Sequence, residues 1–220
     1  MPKKVNEIHN LISLFEEQIK EWNVEHKKLN FVFNQELYLE SYDCIKYIVV
    51  GDNPGVTELE QGKYLVGVSG FSFRSIMKGI FSINDFKNEV LVLNKTPIFS
   101  KQTEELNLCL KGKIRIQKKA QKEMAQLIYN LQKGLNCKVI IIGKGAESLN
   151  SRNKVLGEFY NRISSFGQKD LEFKNSVYQF NHISNNQFAK QIIKDFPNTN
   201  DWTEENILSI GKREGNKIFR

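Results

Sequence analysis

Six polar residues lie where apolar segments of the sequence end, and their types suit proton transfer and hydrogen bonding. They are Asp52, Asn53, Asn94, Lys95, Lys144 and His182. A carboxylate can accept a proton, an amide can donate and accept hydrogen bonds at once, and an imidazole can donate to an oxygen on which negative charge develops. Together these groups indicate a site for a polar ligand.

Four apolar segments, at residues 44–50, 90–94, 138–143 and 176–182, have the length and β-branched content of buried strands. Amphipathic helical patterns separate them. This alternation predicts a three-layer α/β/α fold around a central, mainly parallel four-stranded sheet. Ligands bind at the carboxyl ends of such strands, where the six polar residues lie.

The ends of the chain carry two further helical patterns. Apolar residues at steps of three and four predict a leader helix over about residues 5–22, and a second pattern predicts a C-terminal helix over about 203–212. The length of 220 residues suits a single domain over 1–220. Residues 99–119 mix charges with Gly112 and are interpreted as a long basic surface loop.

Composition narrows the class of protein. The net charge of +7 and the pI near 9.2 favour a polyanionic partner, with the charge expected along the rim of one pocket, chiefly from the loop before Ala120. Three scattered cysteines support neither a disulfide scaffold nor a zinc site, and no cofactor or metal is expected. The apolar segments are too short to cross a bilayer. We therefore expect a cytoplasmic monomer without membrane contact.

Four motifs in order carry a family resemblance. The first loop, 51–55, reads Gly-Asp-Asn-Pro-Gly and is followed by Glu58 and by a glycine-spaced stretch over 62–70. The later strands end in Asn94, in Gly-Lys-Gly-Ala over 143–146, and in His-Ile-Ser over 182–184. This series resembles the uracil-DNA glycosylase superfamily over about residues 45–196. The loop looks like a hybrid of GEAPG in the iron-sulfur bacterial branch and GINPG in the mismatch-specific uracil/thymine branch.

The resemblance implies an enzyme that extrudes a damaged nucleotide from DNA and hydrolyses its N-glycosidic bond. The implied catalytic residues are Asp52 as general base or countercharge, Asn53 holding the attacking water, and His182 donating to the base oxygen. The implied substrate-binding residues are Gly51, Pro54, Gly55, Leu65, Phe71, Asn94 and Ser184. The implied DNA-binding residues are Lys95, Lys144, Asn185 and Asn186.

The chain departs from the family pattern at three places. Leu65 stands where the iron-sulfur branch has the aromatic that stacks on the base, so Tyr64, Phe71 or Phe73 would have to replace it. The cluster of that branch needs four cysteines, so no cluster is expected. The residues after His182 are polar where an apolar wedge is usual, and Phe188 is the nearest large candidate.

Other interpretations of these residues remain open. Asn-Pro-Gly alone is typical of a tight turn, Asn94 of a strand-end cap, and His182 of a structural histidine. A superfamily member that binds DNA or a nucleobase without cleaving it is the main alternative function. A doubly wound nucleotide-binding enzyme is a weaker one, because neither glycine fingerprint is complete.

Overall fold

Four short strands form one parallel sheet at the centre of the structure, a computed structural model that describes residues 3–106, 114–143 and 155–219. They are β1 (Tyr47–Gly51), β2 (Val90–Asn94), β3 (Lys138–Ile142) and β4 (Val177–Phe180), in the order β2-β1-β3-β4. Nearly every strand residue is buried, because helices cover both faces, and this explains the continuous apolar segments. The predicted three-layer α/β/α fold is confirmed.

Helices surround the sheet. The α-helices are α1 (Lys3–Glu25), α2 (Val56–Gln61), α3 (Val68–Ile80), α4 (Phe86–Glu89), α5 (Ile114–Leu135), α6 (Gly157–Gly167), α7 (Leu171–Ser176), α8 (Gln187–Asp195) and α9 (Glu204–Gly215). Short 3-10 helices span Gln35–Leu37, Thr103–Glu105, Ser184–Asn186, Thr199–Asp201 and Asn216–Phe219. The leader helix α1 packs against α5, and α9 packs against β4. Within the described residues, no helix is long and apolar enough to cross a membrane.

The prediction of a long basic loop over 99–119 is wrong for the C-terminal part of that range. Helix α5 begins at Ile114, because the apolar positions of its amphipathic face start before Ala120. Lys118 and Lys122 of this helix pair with Glu158 of α6, and Lys119 lies over the ring of Trp22. Residues 107–113 lie outside the described part of the chain. Of the described basic residues between 99 and 119, Lys101 lines the pocket described next, whereas Arg115, Lys118 and Lys119 do not.

Candidate active site

A pocket of about 680 Å³ opens at the carboxyl ends of the strands. Residues that end or follow all four strands line it, among them Asp52 after β1, Asn94 of β2, Ile142 of β3 and His182 after β4. The parallel register causes this convergence, because it places every carboxyl end at the same edge. The volume lies in the usual range for small-molecule sites.

Asn94 lines this pocket and carries an unsatisfied donor. The residue is only 3% exposed, and its Nδ2 has no hydrogen-bond partner among the described residues. Gly51 pairs with Asn94 across the sheet and makes room for the amide, because a Cβ at position 51 would overlap Asn94 Oδ1. An unsatisfied buried donor costs about 1–3 kcal/mol, which a ligand with a matching acceptor recovers.

His182 is held as a neutral donor. The backbone N–H of Ser184 donates to His182 Nδ1 at 3.0 Å, and Ser184 Oγ lies 2.6 Å from the same nitrogen. Because a nitrogen that accepts an N–H carries no proton itself, the ring proton is on Nε2. Burial lowers the His182 pKa; the field of Lys95 acts in the same direction and that of Asp52 opposes it. The neutral ring therefore offers Nε2–H as a donor.

Asp52 and Lys95 form a buried ion pair at the edge of the sheet. Lys95 has no exposed surface, and its Nζ contacts Asp52 Oδ1 and donates to the Ile142 carbonyl at 2.7 Å. Gly143 has φ +102°, and a Cβ there would overlap the Asp52 carboxylate. The predicted DNA contact of Lys95 is wrong, because its charge is directed inward to Asp52.

Asn53 connects its loop to the chain around Ser100. Its Nδ2 donates to Ser100 O at 3.1 Å and lies 3.0 Å from Ser100 Oγ, while its Oδ1 accepts from Thr103 Oγ1 at 2.7 Å. The neighbouring Pro54 is buried, and its carbonyl accepts the Ser100 N–H. The water-holding role of Asn53 stays a prediction, since these contacts give the amide a second, structural use.

Glu58 builds the adjacent pocket wall. Its carboxylate accepts the backbone N–H groups of Gly55, at 2.7 Å, and of Leu65. Burial raises the Glu58 pKa, and the two backbone hydrogen bonds partly oppose that rise. Leu65 is held at φ +56°, and its carbonyl lies where a Cβ of Gly70 would be. We did not predict Glu58 as a site residue, although a Glu three residues after an N-cap is the capping-box signal that could have identified it.

A comparison with known families agrees with this arrangement. The family model described as the Uracil DNA glycosylase superfamily matches residues 42–200, a span that holds β1 to β4 and every residue that lines the pocket. The chain belongs to the uracil DNA glycosylase superfamily. A search of curated proteins finds no match. Membership supports a glycosylase-like function in general, with DNA as the molecule on which the family acts.

None of the three aromatic residues expected to stack on the base belongs to the described pocket lining. Leu65, Ile142 and Ile183 supply the large apolar groups there instead. Tyr64 and Phe73 are in the core, each 1% exposed. Phe71 is 71% exposed and is absent from the described pocket lining, so its role in substrate binding stays a prediction.

The remaining predicted residues lie at several places. Gly51, Gly55 and Ser184 line the pocket. Asn185 and Asn186 belong to the 3-10 helix Ser184–Asn186, in which Asn186 is exposed with φ +56°. Lys144 lies outside the described residues. Contacts of Lys144, Asn185 and Asn186 with DNA therefore stay predictions. Lys101, which sequence reasoning did not single out, is the cationic side chain among the described lining residues.

Proposed function

We propose that this chain is a DNA glycosylase that hydrolyses the N-glycosidic bond of uracil or another deaminated base. The observation that carries the proposal is that Asn94, whose buried Nδ2 is without a partner among the described residues, lines the same pocket as His182. Deamination replaces an exocyclic amine, a donor, by a carbonyl, an acceptor. A pocket with two donors accepts the damaged base and leaves the amine of the parent base unsatisfied.

The reaction follows from these donors. The C1′–N bond breaks and its electron pair leaves with the base nitrogen, while negative charge spreads to the carbonyl oxygens of the base. A hydrogen bond from His182 Nε2–H stabilises that charge, and one such donor is worth about 3 kcal/mol. Water adds to C1′ and gives up a proton, which the departing base takes up; the products are the free base and an abasic sugar.

Asp52 has a limited role in this scheme. Its Oδ1 is already engaged by Lys95 Nζ, so one of the two carboxylate oxygens is committed to an ion pair. We therefore assign most of the rate enhancement to stabilisation of the departing base by Asn94 and His182.

The test is incubation with labelled oligonucleotides that contain uracil, hypoxanthine, xanthine or mismatched thymine, single- and double-stranded, followed by alkaline cleavage. Abasic product is expected from a deaminated base and not from cytosine, adenine or guanine. Asn94→Ala and His182→Ala should each slow excision about 100-fold. His26→Ala, a histidine remote from the pocket lining, is the matched control. No product from any substrate at enzyme excess contradicts the proposal.

A second candidate is a superfamily member that binds DNA or a nucleobase without cleaving it. The Asp52–Lys95 pair and the commitment of Asn53 to Ser100 and Thr103 favour it, because both side chains are already engaged in contacts within the protein. Tight binding of a uracil-containing strand with no abasic product would support this candidate over the enzyme.

A further inference from the structure

An exposed apolar surface borders the mouth of the pocket. Val68 is 86% exposed, Phe71 71% and Val56 46%. Val56 and Val68 also line the pocket, and Phe71 lies three residues after Val68 on α3, so the two side chains share one helix face. We call these three residues the apolar rim. Since the rim continues the pocket wall outward, whatever enters the pocket while attached to a longer chain passes close to it.

The segment that follows His182 offers no comparable exposed apolar group among its described side chains. Ser184, Asn186 and Gln187 are polar and exposed. Phe188, the large residue nearest in sequence, is 2% exposed and packs 5.2 Å from the ring of Phe180. The expectation that Phe188 contacts the duplex is therefore wrong. Among the described side chains, the apolar rim is therefore the group that can make apolar contact with DNA next to the pocket.

The chemistry of the rim fits a nucleobase better than a protein surface. Every base has a flat face that stacks on an aromatic ring, and Lys101 at the same pocket offers a cation for the strand's phosphates. Three side chains cover much less than the roughly 1,200 Å² that a stable protein interface buries. A nucleotide neighbour of the base in the pocket is the occupant of matching size and chemistry.

We propose that Phe71, supported by Val68 and Val56, stacks on the base adjacent to the nucleotide held in the pocket, and so provides the apolar DNA contact of this chain. The proposal rests on the proposed function, since it takes DNA as the occupant. It also implies a preference for single strands, because an unpaired neighbouring base has a free face to stack.

Fluorescence anisotropy with an undamaged, labelled single-stranded oligonucleotide measures this contact without any excision. Phe71→Ala should weaken binding about 10-fold, as expected for the loss of one stacked base. The slope of log affinity against log salt should not change, because no cation is removed. Phe71→Trp should restore the affinity. A 2-aminopurine next to a uracil should change fluorescence on binding wild type and much less on binding Phe71→Ala.

The matched control is Leu171→Ala on α7, a residue 68% exposed and absent from the pocket lining. It should bind DNA as wild type does. Wild-type affinity in Phe71→Ala, an equal loss in Leu171→Ala, or no measurable binding by wild type would overturn the inference. Failure of the proposed function would give a different result. No base would be excised, but single strands would still bind through Phe71.

Discussion

At the scale of single residues, Lys95 is the least expected feature. A lysine without exposed surface is rare, because its charge loses hydration that only a close partner can replace. Asp52 and the Ile142 carbonyl supply that replacement, and the ring of Tyr160 lies 5.7 Å from Nζ. The pair thus fixes where the Asp52 carboxylate lies relative to the pocket.

Replacing Lys95 by Met should lower the free energy of unfolding by about 3–5 kcal/mol, because the buried Asp52 then loses the ion pair with Lys95. Urea unfolding measures this difference. The matched control is Lys20→Met, which removes an exposed lysine from its pair with Glu16 and should cost at most about 1 kcal/mol. The double variant Asp52→Asn/Lys95→Met should recover part of the loss. Equal effects of the two single Lys→Met variants would contradict a stabilising buried pair.

A second prediction concerns the protonation of His182. Its pKa in the folded protein is lowered below 6.5, mainly by burial, so the folded state disfavours the protonated ring. The contribution of this residue to stability is therefore fully present above pH 6.5 and is lost as the pH falls through the lowered pKa. Excision should stay level through pH 6.5 and decline only at lower pH, because a protonated Nδ1 cannot accept from Ser184.

NMR titration of the His182 ring measures this pKa and the tautomer together. The proton should be on Nε2 at neutral pH. A titration midpoint above 6.5, or a proton on Nδ1, would show that the ring is not held as a neutral donor.

At the scale of elements, two glycines of α3 allow a direct comparison. A Cβ at Gly70 would overlap the Leu65 carbonyl, whereas a Cβ at Gly79 meets no atom within 4 Å. Gly70→Ala should lower the free energy of unfolding by about 1–3 kcal/mol and displace the pocket wall, so excision should fall as well. Gly79→Ala should raise stability by up to about 1 kcal/mol, because alanine loses less entropy in a helix. Thermal unfolding and the excision assay decide between these outcomes.

The elements themselves were the part most accessible to sequence reasoning. The strands were predictable because residues buried on both faces form continuous apolar segments, and α1 was predictable from its period. The predicted start of α5 was too late in the sequence, since the charged residues of its first turns are also typical of a surface loop. The direction of Lys95 could not be predicted, because a residue just past a strand can turn toward solvent or toward the core. Its true direction depends on Asp52, 43 positions earlier.

At the scale of the whole molecule, the net charge of +7 predicts salt-sensitive binding to DNA. Affinity for a single strand should fall about 20-fold between 50 and 200 mM salt if about three phosphates are contacted. Lys101→Gln at the pocket should reduce the magnitude of the salt slope by about 0.7, the share of one cation on a single strand. Lys20→Gln on α1 should leave the slope unchanged. A flat salt dependence in wild type would argue against a phosphate-binding surface.

The unsatisfied amide of Asn94 affects which residue is favoured at position 94 and how the substrate of this protein can be found. In the absence of ligand, a valine at position 94 would suit the end of a buried strand at least as well as the asparagine does. Fold stability and base recognition therefore favour different residues at this position. Because a ligand that binds only the folded state stabilises it, a base that satisfies Nδ2 should raise the unfolding temperature. Wild type should respond to the correct base and Asn94→Val should not, so heat denaturation can identify the substrate before any reaction is observed.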